Sequence, residues 1–411
     1  MSTPSPTTGT RPAPGTRSVR PAFIAQASLI GTALAIYGLV VVQSGFRHQD
    51  FGAYLAAGHS ILSGQPLYAA FLHHPFPDPT LRPAYIYPPV FALLIAPLAL
   101  LPVDLAGAIW LLICQGCLAA SLLIVIRWLR PAAWALTAIT VATLTFYPLW
   151  IDAVQGQANL IVVFLVTGGV AGIVRGDPRF GAALGLAAAL KLTPALLLVW
   201  LLLDRRFRAA AWMLGSVAAV TVAAALVRGS DSVAFFTQVV PALARGTAVY
   251  ANQSLSGLLG RVASANPYTD PWLTLSWMSL LATAAAIVLV AVWYWRSRDQ
   301  QGLARAAAFV PLLPLLSSVT WPHHLVILLP VIWFAAIAIA ERGWPVAQTV
   351  MLATLLILFS VVSRLPLGPA FNQPGFRQAQ TQDPIVFLVA NSLFFATLLL
   401  FIAGPWLLRS R

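Results

Sequence analysis

Long apolar runs, about twenty residues each and spaced along nearly the whole chain, constrain this sequence more than anything else. Such runs fit residues 22–44, 105–127, 132–150, 158–174, 207–228, 272–295, 302–319, 322–340, 344–362 and 385–408. An apolar helix of about twenty residues crosses the roughly 30 Å hydrocarbon layer of a bilayer. In hydrocarbon every backbone amide needs a partner within its own segment or a closed barrel, and no period-two alternation points to a barrel. The expectation is an all-α polytopic membrane protein with about ten full transmembrane helices. Composition agrees. Apolar residues make up 59% of the 411 and charged residues only 9%, too few to clothe a soluble protein of this size.

The net charge of +13 would mark a soluble chain as a nucleic-acid binder. Here arginines punctuate the ends of apolar runs, so they read as topology signals and no nucleic-acid partner is expected. With residues 1–20 as a disordered cytoplasmic tail and 21–411 as one integral membrane domain, most arginines fall on the side of the tail. The opposite, outer side then collects the unusual polar clusters. Cys114 and Cys117 lie one turn apart in an apolar run and read as small buried hydrophobes. The start of the chain has no cleavable signal pattern, since its first apolar run is long enough to span.

Three stretches break the pattern. Residues 48–68, HQDFGAYLAAGHSILSGQPLY, form an amphipathic helix too short to cross, expected to lie on the outer surface. Residues 88–101 are apolar but short, hence interfacial or re-entrant. Residues 180–203 are interrupted by Lys191-Leu192-Thr193-Pro194, where Thr then Pro makes an N-cap and first turn. Two half-helices forming a hairpin are expected there.

Asp50 opens the surface helix. It reads either as an N-cap or as a general base beside the membrane. Lys191 is the only lysine in the chain, and an ionisable group inside an apolar run is functional by default. Beside the helix start at Thr193 it suits a phosphate; snorkelling is the structural alternative. His323 and His324 follow Trp321-Pro322, as phosphate or sugar contacts or as an interfacial pair. No ligand spacing supports a metal. Gln155, Gln157 and Asn159 bring three amides to a membrane helix, and Asn252 and Gln253 repeat the pattern. Amides pair with sugar hydroxyls, and they also glue helices together. Tyr54, His59, Tyr68 and Asp152 complete the candidate sugar and acceptor contacts, while Tyr85, Tyr87 and Tyr250 add aromatic surface.

In order along the chain, DFGAYLAAGHSILSGQPLY, YPPVFALLIAPLALLP, GQANLIVVFL, GAALGLAAALKLTPALLLVWLLLDRRFRA, NQSLSG and SSVTWPHHLVILLP resemble glycosyltransferase family 87. These are polyprenol-phosphate-mannose-dependent α-(1→2)-mannosyltransferases of the membrane-embedded C superfamily. The resemblance spans about residues 45–335. It implies a GT-C-like bundle with interfacial helices in the first outer loop, a polyprenyl-phosphate sugar donor and no cofactor. The family's first-loop acid falls on Asp50, its KLTP lysine on Lys191 and its paired histidines on His323 and His324. The expected activity is inverting transfer of mannose to a lipid-linked glycan at the outer face of the cell membrane, with Asp50 as base and Lys191, Thr193, His323 and His324 around the phosphate. A lipid transporter or flippase is the rival from another class. Another polyprenyl-linked sugar, such as arabinose, is the rival donor.

Overall fold

The computed structural model describes residues 21–43, 49–73, 84–364 and 375–409. The N-terminal tail, His74 and most of the proline-rich stretch after it lie outside the described residues. Among the described residues all regular structure is helical. The first segment comprises α1 (Pro21–Gln43), the amphipathic α2 (Gln49–Ser63) and the single turn α3 (Ala69–His73). The short apolar stretch then divides, as Pro89 starts α4 (Pro89–Ile95) and Pro97 leads into a 3-10 turn at Leu98–Leu100.

Next come α5 (Val103–Leu129), α6 (Ala133–Thr145) and α7 (Tyr147–Gln155). The last two form one apolar stretch bent by 50° at Phe146, which is extended and lies two residues before Pro148. Gly156 closes α7 at φ 67°, a conformation that favours glycine, and the chain turns at once into α8 (Asn159–Val174).

The segment interrupted by Lys191 forms α9 (Gly181–Leu190), a 3-10 turn at Thr193–Leu196 and α10 (Leu197–Leu203), followed by α11 (Phe207–Val227). It goes in and comes back. Gly181 and Gly185 of α9 lie so close to the Ala209 and Met213 carbonyls of α11 that a Cβ would overlap them. The end of α10 is joined to the start of α11 by three residues, so both feet of the segment stand at one end of α11. Lys191, extended at φ −149° and ψ 126°, is at the tip. The hairpin expected from the sequence is present. Its second half begins differently: Leu192 holds the N-cap position, Thr193 is already helical, and no side chain caps the turn.

The remaining elements are α12 (Gly229–Ala234), which runs through a π-turn into α13 (Val240–Ala244), then α14 (Leu255–Ala263), α15 (Met278–Arg296), α16 (Gly302–Phe309) and α17 (Leu312–Leu316). A 3-10 segment at Pro322–Leu328 leads into α18 (Leu329–Glu341). The chain ends with α19 (Val346–Ser360), α20 (Phe376–Gln382), α21 (Pro384–Ala390) and α22 (Ser392–Leu407). Buried on nearly every side, α8 and α18 form the centre, and Trp333 of α18 donates to the Thr143 hydroxyl of α6 at 2.7 Å.

Among the described residues five helices are long and apolar enough to cross a membrane, or seven if the two bent pairs each count once. The expectation of about ten full-length spans is not confirmed. The reason is breakage and shortness. At about 1.5 Å per residue, the 16-residue α8 is about 24 Å long, short of the hydrocarbon layer. Prolines and open turns divide several of the other runs.

Arginines tie helix ends together at the end of the bundle remote from Lys191. Arg206 donates to the Ile173 carbonyl at 3.1 Å, and Arg305 pairs with Asp204 at 2.6 Å. Arg342 donates to the Leu407 carbonyl at 2.7 Å. Arg206 and Arg342 thereby satisfy carbonyls that helix ends leave open.

Candidate active site

At the other end, α7 and α8 pack against the Pro322–Leu328 segment, α2 lies beside α7, and the Lys191 tip rises to meet them. The turn Gln155-Gly156-Gln157-Ala158-Asn159 is at the centre of this meeting. Two of its three amides, at 157 and 159, point to different partners.

Gln157 donates from Nε2 to Asp50 Oδ2 at 2.5 Å. Its Oε1 lies 3.0 Å from both the Tyr54 and Tyr87 hydroxyls, which are 2.9 Å from each other. The backbone on either side is also held. The Trp110 indole donates to the Gly156 carbonyl at 2.7 Å, and the Cys114 thiol reaches the Gln157 carbonyl at 3.4 Å. Asp50 lies in the first turn of α2. Among the described residues its carboxylate is engaged by Gln157 across the bundle and by no first-turn amide. Burial pushes this carboxyl above its usual range, against the Gln157 hydrogen bond and the positive charge of Lys191, which pull it down.

Asn159 donates from Nδ2 to Asp152 Oδ1 at 2.8 Å and to the His323 carbonyl at 3.2 Å. Its Oδ1 accepts from Lys191 Nζ at 2.5 Å. The same ammonium lies 5.6 Å from the centre of the Tyr87 ring. Tyr87 therefore touches both halves of the site, by its hydroxyl on the acid side and by its face on the cation side. From the sequence it read only as aromatic surface; the signal within reach was a hydroxyl-bearing ring placed just before a proline-started helix.

A small cavity opens beside Lys191, lined by Asn159, Thr193, Thr320 and His324 and closed by apolar side chains. The two histidines divide their roles. The His324 ring borders this cavity and accepts the Trp321 N–H at 3.4 Å on Nδ1. The His323 ring is buried, 4.6 Å from its neighbour centre to centre, with its Nε2 unpartnered. Asp152 is 1% exposed and leaves Oδ2 unpartnered, as does Gln155 its Oε1.

Other candidates are placed elsewhere or are already engaged. Tyr68 is buried and its hydroxyl donates to the Tyr87 carbonyl at 2.8 Å. His59 lies on the exposed face of α2. Asn252 donates to the Thr247 and Ser318 carbonyls at 2.8 and 3.0 Å and accepts the Thr320 N–H at 2.8 Å. Gln253 donates to the Tyr250 and Ala390 carbonyls at 2.7 and 2.8 Å and accepts the Phe394 N–H at 2.9 Å. Both amides are buried and spent on backbone, which is the helix-gluing use of such side chains. Asn252 still bears on the site indirectly, because it fixes the strand of chain that carries Thr320 and the histidines.

A further pair was missed in the sequence. Arg228 and Asp231, 2.6 Å apart, pin the Gly64–Tyr68 turn: Arg228 donates to the Gln65 carbonyl and Asp231 accepts the Leu67 N–H at 3.0 Å. The only local signal is an Arg and an Asp three residues apart at a helix start. Among the described residues no three His, Cys, Asp or Glu side chains converge as a metal ion would need.

A family model described as Glycosyltransferase family 87 matches residues 85–318. A polyprenol-phosphate-mannose-dependent alpha-(1-2)-phosphatidylinositol mannoside mannosyltransferase of Mycolicibacterium smegmatis is 29% identical over 348 residues, 77% of this chain and 76% of its own length. The protein so described in Mycobacterium tuberculosis H37Rv is 31% identical over 343 residues, 77% and 75% of the two chains. A pentamannoside mannosyltransferase of M. tuberculosis CDC 1551 is 27% identical over 364 residues, 84% and 80% of the two. Among solved structures, apo ArnT from Cupriavidus metallidurans superposes with a TM-score of 0.42 and 15% identity, over 93% of this chain and 78% of that one.

Proposed function

The chain belongs to glycosyltransferase family 87, and within it we propose that this membrane glycosyltransferase moves mannose from a polyprenyl-phosphate donor to a hydroxyl of a lipid-linked glycan, with inversion. The acceptor class we propose is a phosphatidylinositol mannoside, after the names of the relatives. The observation that carries the reading is the meeting of the acid and the lone lysine around one turn, Asp50 on Gln157 and Lys191 on Asn159.

The chemistry divides along that line. Asp50 takes the proton of the acceptor hydroxyl as its oxygen attacks the anomeric carbon. The bond from that carbon to the phosphate oxygen breaks, and its electron pair leaves on the phosphate. Lys191, with Thr193 and His324 around the same cavity, stabilises the departing charge. A phosphate leaves without being protonated, so no second carboxylic acid is required, unlike hydrolysis of an ordinary glycoside. Asp152 instead orients Asn159 and through it Lys191. The placement of arginines at the opposite end of the bundle supports an outer-face site.

Purified protein in lipid nanodiscs, given radiolabelled polyprenyl-phosphate-mannose and phosphatidylinositol mannoside, tests this. A mannosylated lipid product is expected. Movement of unmodified donor between leaflets with no new product would favour a carrier instead.

A further inference from the structure

Gln157 read from the sequence as a contact for sugar hydroxyls. Its surroundings leave it no such freedom. The side chain is 4% exposed and both ends of its amide are engaged. On one side are two hydroxyls, Tyr54 and Tyr87, and on the other a carboxylate. A carboxylate only accepts, and a tyrosine hydroxyl can donate. The amide therefore has one orientation that satisfies all its neighbours, Nε2 towards Asp50 and Oε1 towards the tyrosines. The reverse would set an oxygen against a carboxylate.

The clamp is itself rigid. Tyr54 is 1% exposed and packs edge-on against Tyr87, Phe91 and Trp110 at 5.2, 4.9 and 5.9 Å between ring centres. Trp110 also fixes the backbone just before Gln157. Oδ2 of Asp50 is thus held, and among the described residues no hydrogen bond engages Oδ1.

We propose that Gln157 is a positioning residue for the transfer: clamped by Tyr54 and Tyr87, its amide holds Asp50 by Oδ2 and presents Oδ1 to the acceptor hydroxyl. This rests on the reading of Asp50 as the base. An enzyme gains from holding a base in place before substrate arrives, and a misplacement of about 1 Å can cost on the order of a hundred-fold in rate. The titratable groups facing Asp50 are Lys191, Asp152, Tyr54 and Tyr87. Of these only Lys191 favours the carboxylate by charge, so the Gln157 N–H is a main support of its ionised form.

The test is the pH profile of kcat/KM for mannosyl transfer by the full-length protein in nanodiscs, with phosphatidylinositol mannoside as acceptor. Gln157→Met keeps the length of the side chain and removes its N–H. Expected are a fall in kcat of roughly ten- to a hundred-fold, an acid limb displaced to higher pH, and unchanged donor binding. A sugar contact would raise the acceptor KM and leave the limb in place, which would overturn the proposal. A purely structural role would reduce the amount of folded protein without moving the limb, which would overturn it equally. Should the Met variant not fold, Tyr54→Phe combined with Tyr87→Phe reads the same clamp; a smaller displacement in the same direction is expected, and an unmoved limb in that folded variant overturns the proposal. Asp50→Asn, measured alongside, separates the two readings. Full turnover in that variant removes the base itself, whereas lost turnover there with an unmoved limb in Gln157→Met removes only the role of Gln157.

Discussion

Lys191 at the tip of the α9–α10 hairpin donates to Oδ1 of Asn159, the first residue of α8, at 2.5 Å. The contact joins a re-entrant segment to the buried centre of the bundle. It also orients the Asn159 amide so that Nδ2 faces Asp152 and the His323 carbonyl. A lysine that merely snorkels needs no such partner.

Lys191→Met is expected to weaken donor binding by roughly ten- to a hundred-fold, the worth of one charged hydrogen bond to phosphate. Turnover falls with it, while insertion in the membrane is retained. Equilibrium binding of radiolabelled donor to the purified variant checks this, and wild-type affinity would leave the lysine without a role in holding phosphate.

Asp50→Asn is expected to lower turnover by about a hundred- to ten-thousand-fold, with donor binding retained, because asparagine keeps the shape and cannot take a proton. Burial raises the Asp50 pKa. A base works only when ionised, so activity falls as pH falls through that raised value, and the acid limb lies above the ordinary carboxylate value of about 3.9. The sign for stability is the reverse. The folded protein binds this proton more tightly than the unfolded chain, so the charge weakens the fold as pH rises, and the Asn variant is expected to melt no earlier than wild type at neutral pH. Thermal unfolding followed by tryptophan fluorescence measures it.

Gly185→Ala is expected to destabilise the hairpin by about 1–3 kcal/mol, since its Cβ would overlap the Met213 carbonyl and the Ser216 hydroxyl of α11. Gly215→Ala is the control on α11, where a Cβ meets nothing within 4 Å. There the gain in helix propensity predicts an unchanged or slightly higher melting temperature. Equal losses in both variants would argue against close packing of α9 on α11.

Topology is open to a labelling experiment in a background with Cys114 and Cys117 replaced by alanine. His59 and Arg208 are both exposed and belong to opposite ends of the bundle. In whole cells His59→Cys is expected to react with an impermeant maleimide and Arg208→Cys only after permeabilisation. The opposite pattern would turn the site to the cytoplasm.

Much of this protein was legible one stretch at a time. Run lengths alone indicated a helical membrane chain. One lysine in an apolar run marked the hairpin tip, and six ordered motifs pointed to the family that the comparisons then showed. Asn159 and Lys191 were singled out as polar groups in apolar runs, where polarity is costly, and Asp50 as the acid that opens the surface helix.

The number of spans was not legible, because hydropathy measures how apolar a run is and not whether it stays one straight helix. The bend at Phe146 and the divided stretch from 384 to 407 leave no mark in hydropathy. Nor could sequence sort the amides. Asn252 and Gln157 are alike in type and setting, yet one is spent on backbone carbonyls and the other holds Asp50 from 107 positions away. Apolar length and a misplaced charge act over one segment, through transfer into lipid, so the sequence by itself determined the helices, the hairpin tip and the kind of chemistry available. Hydrogen-bond partners across the bundle depend on angstrom-scale distances between segments far apart in the chain, and only the tertiary structure decided which amide met the acid, which met the lysine, and which merely tied the helices together.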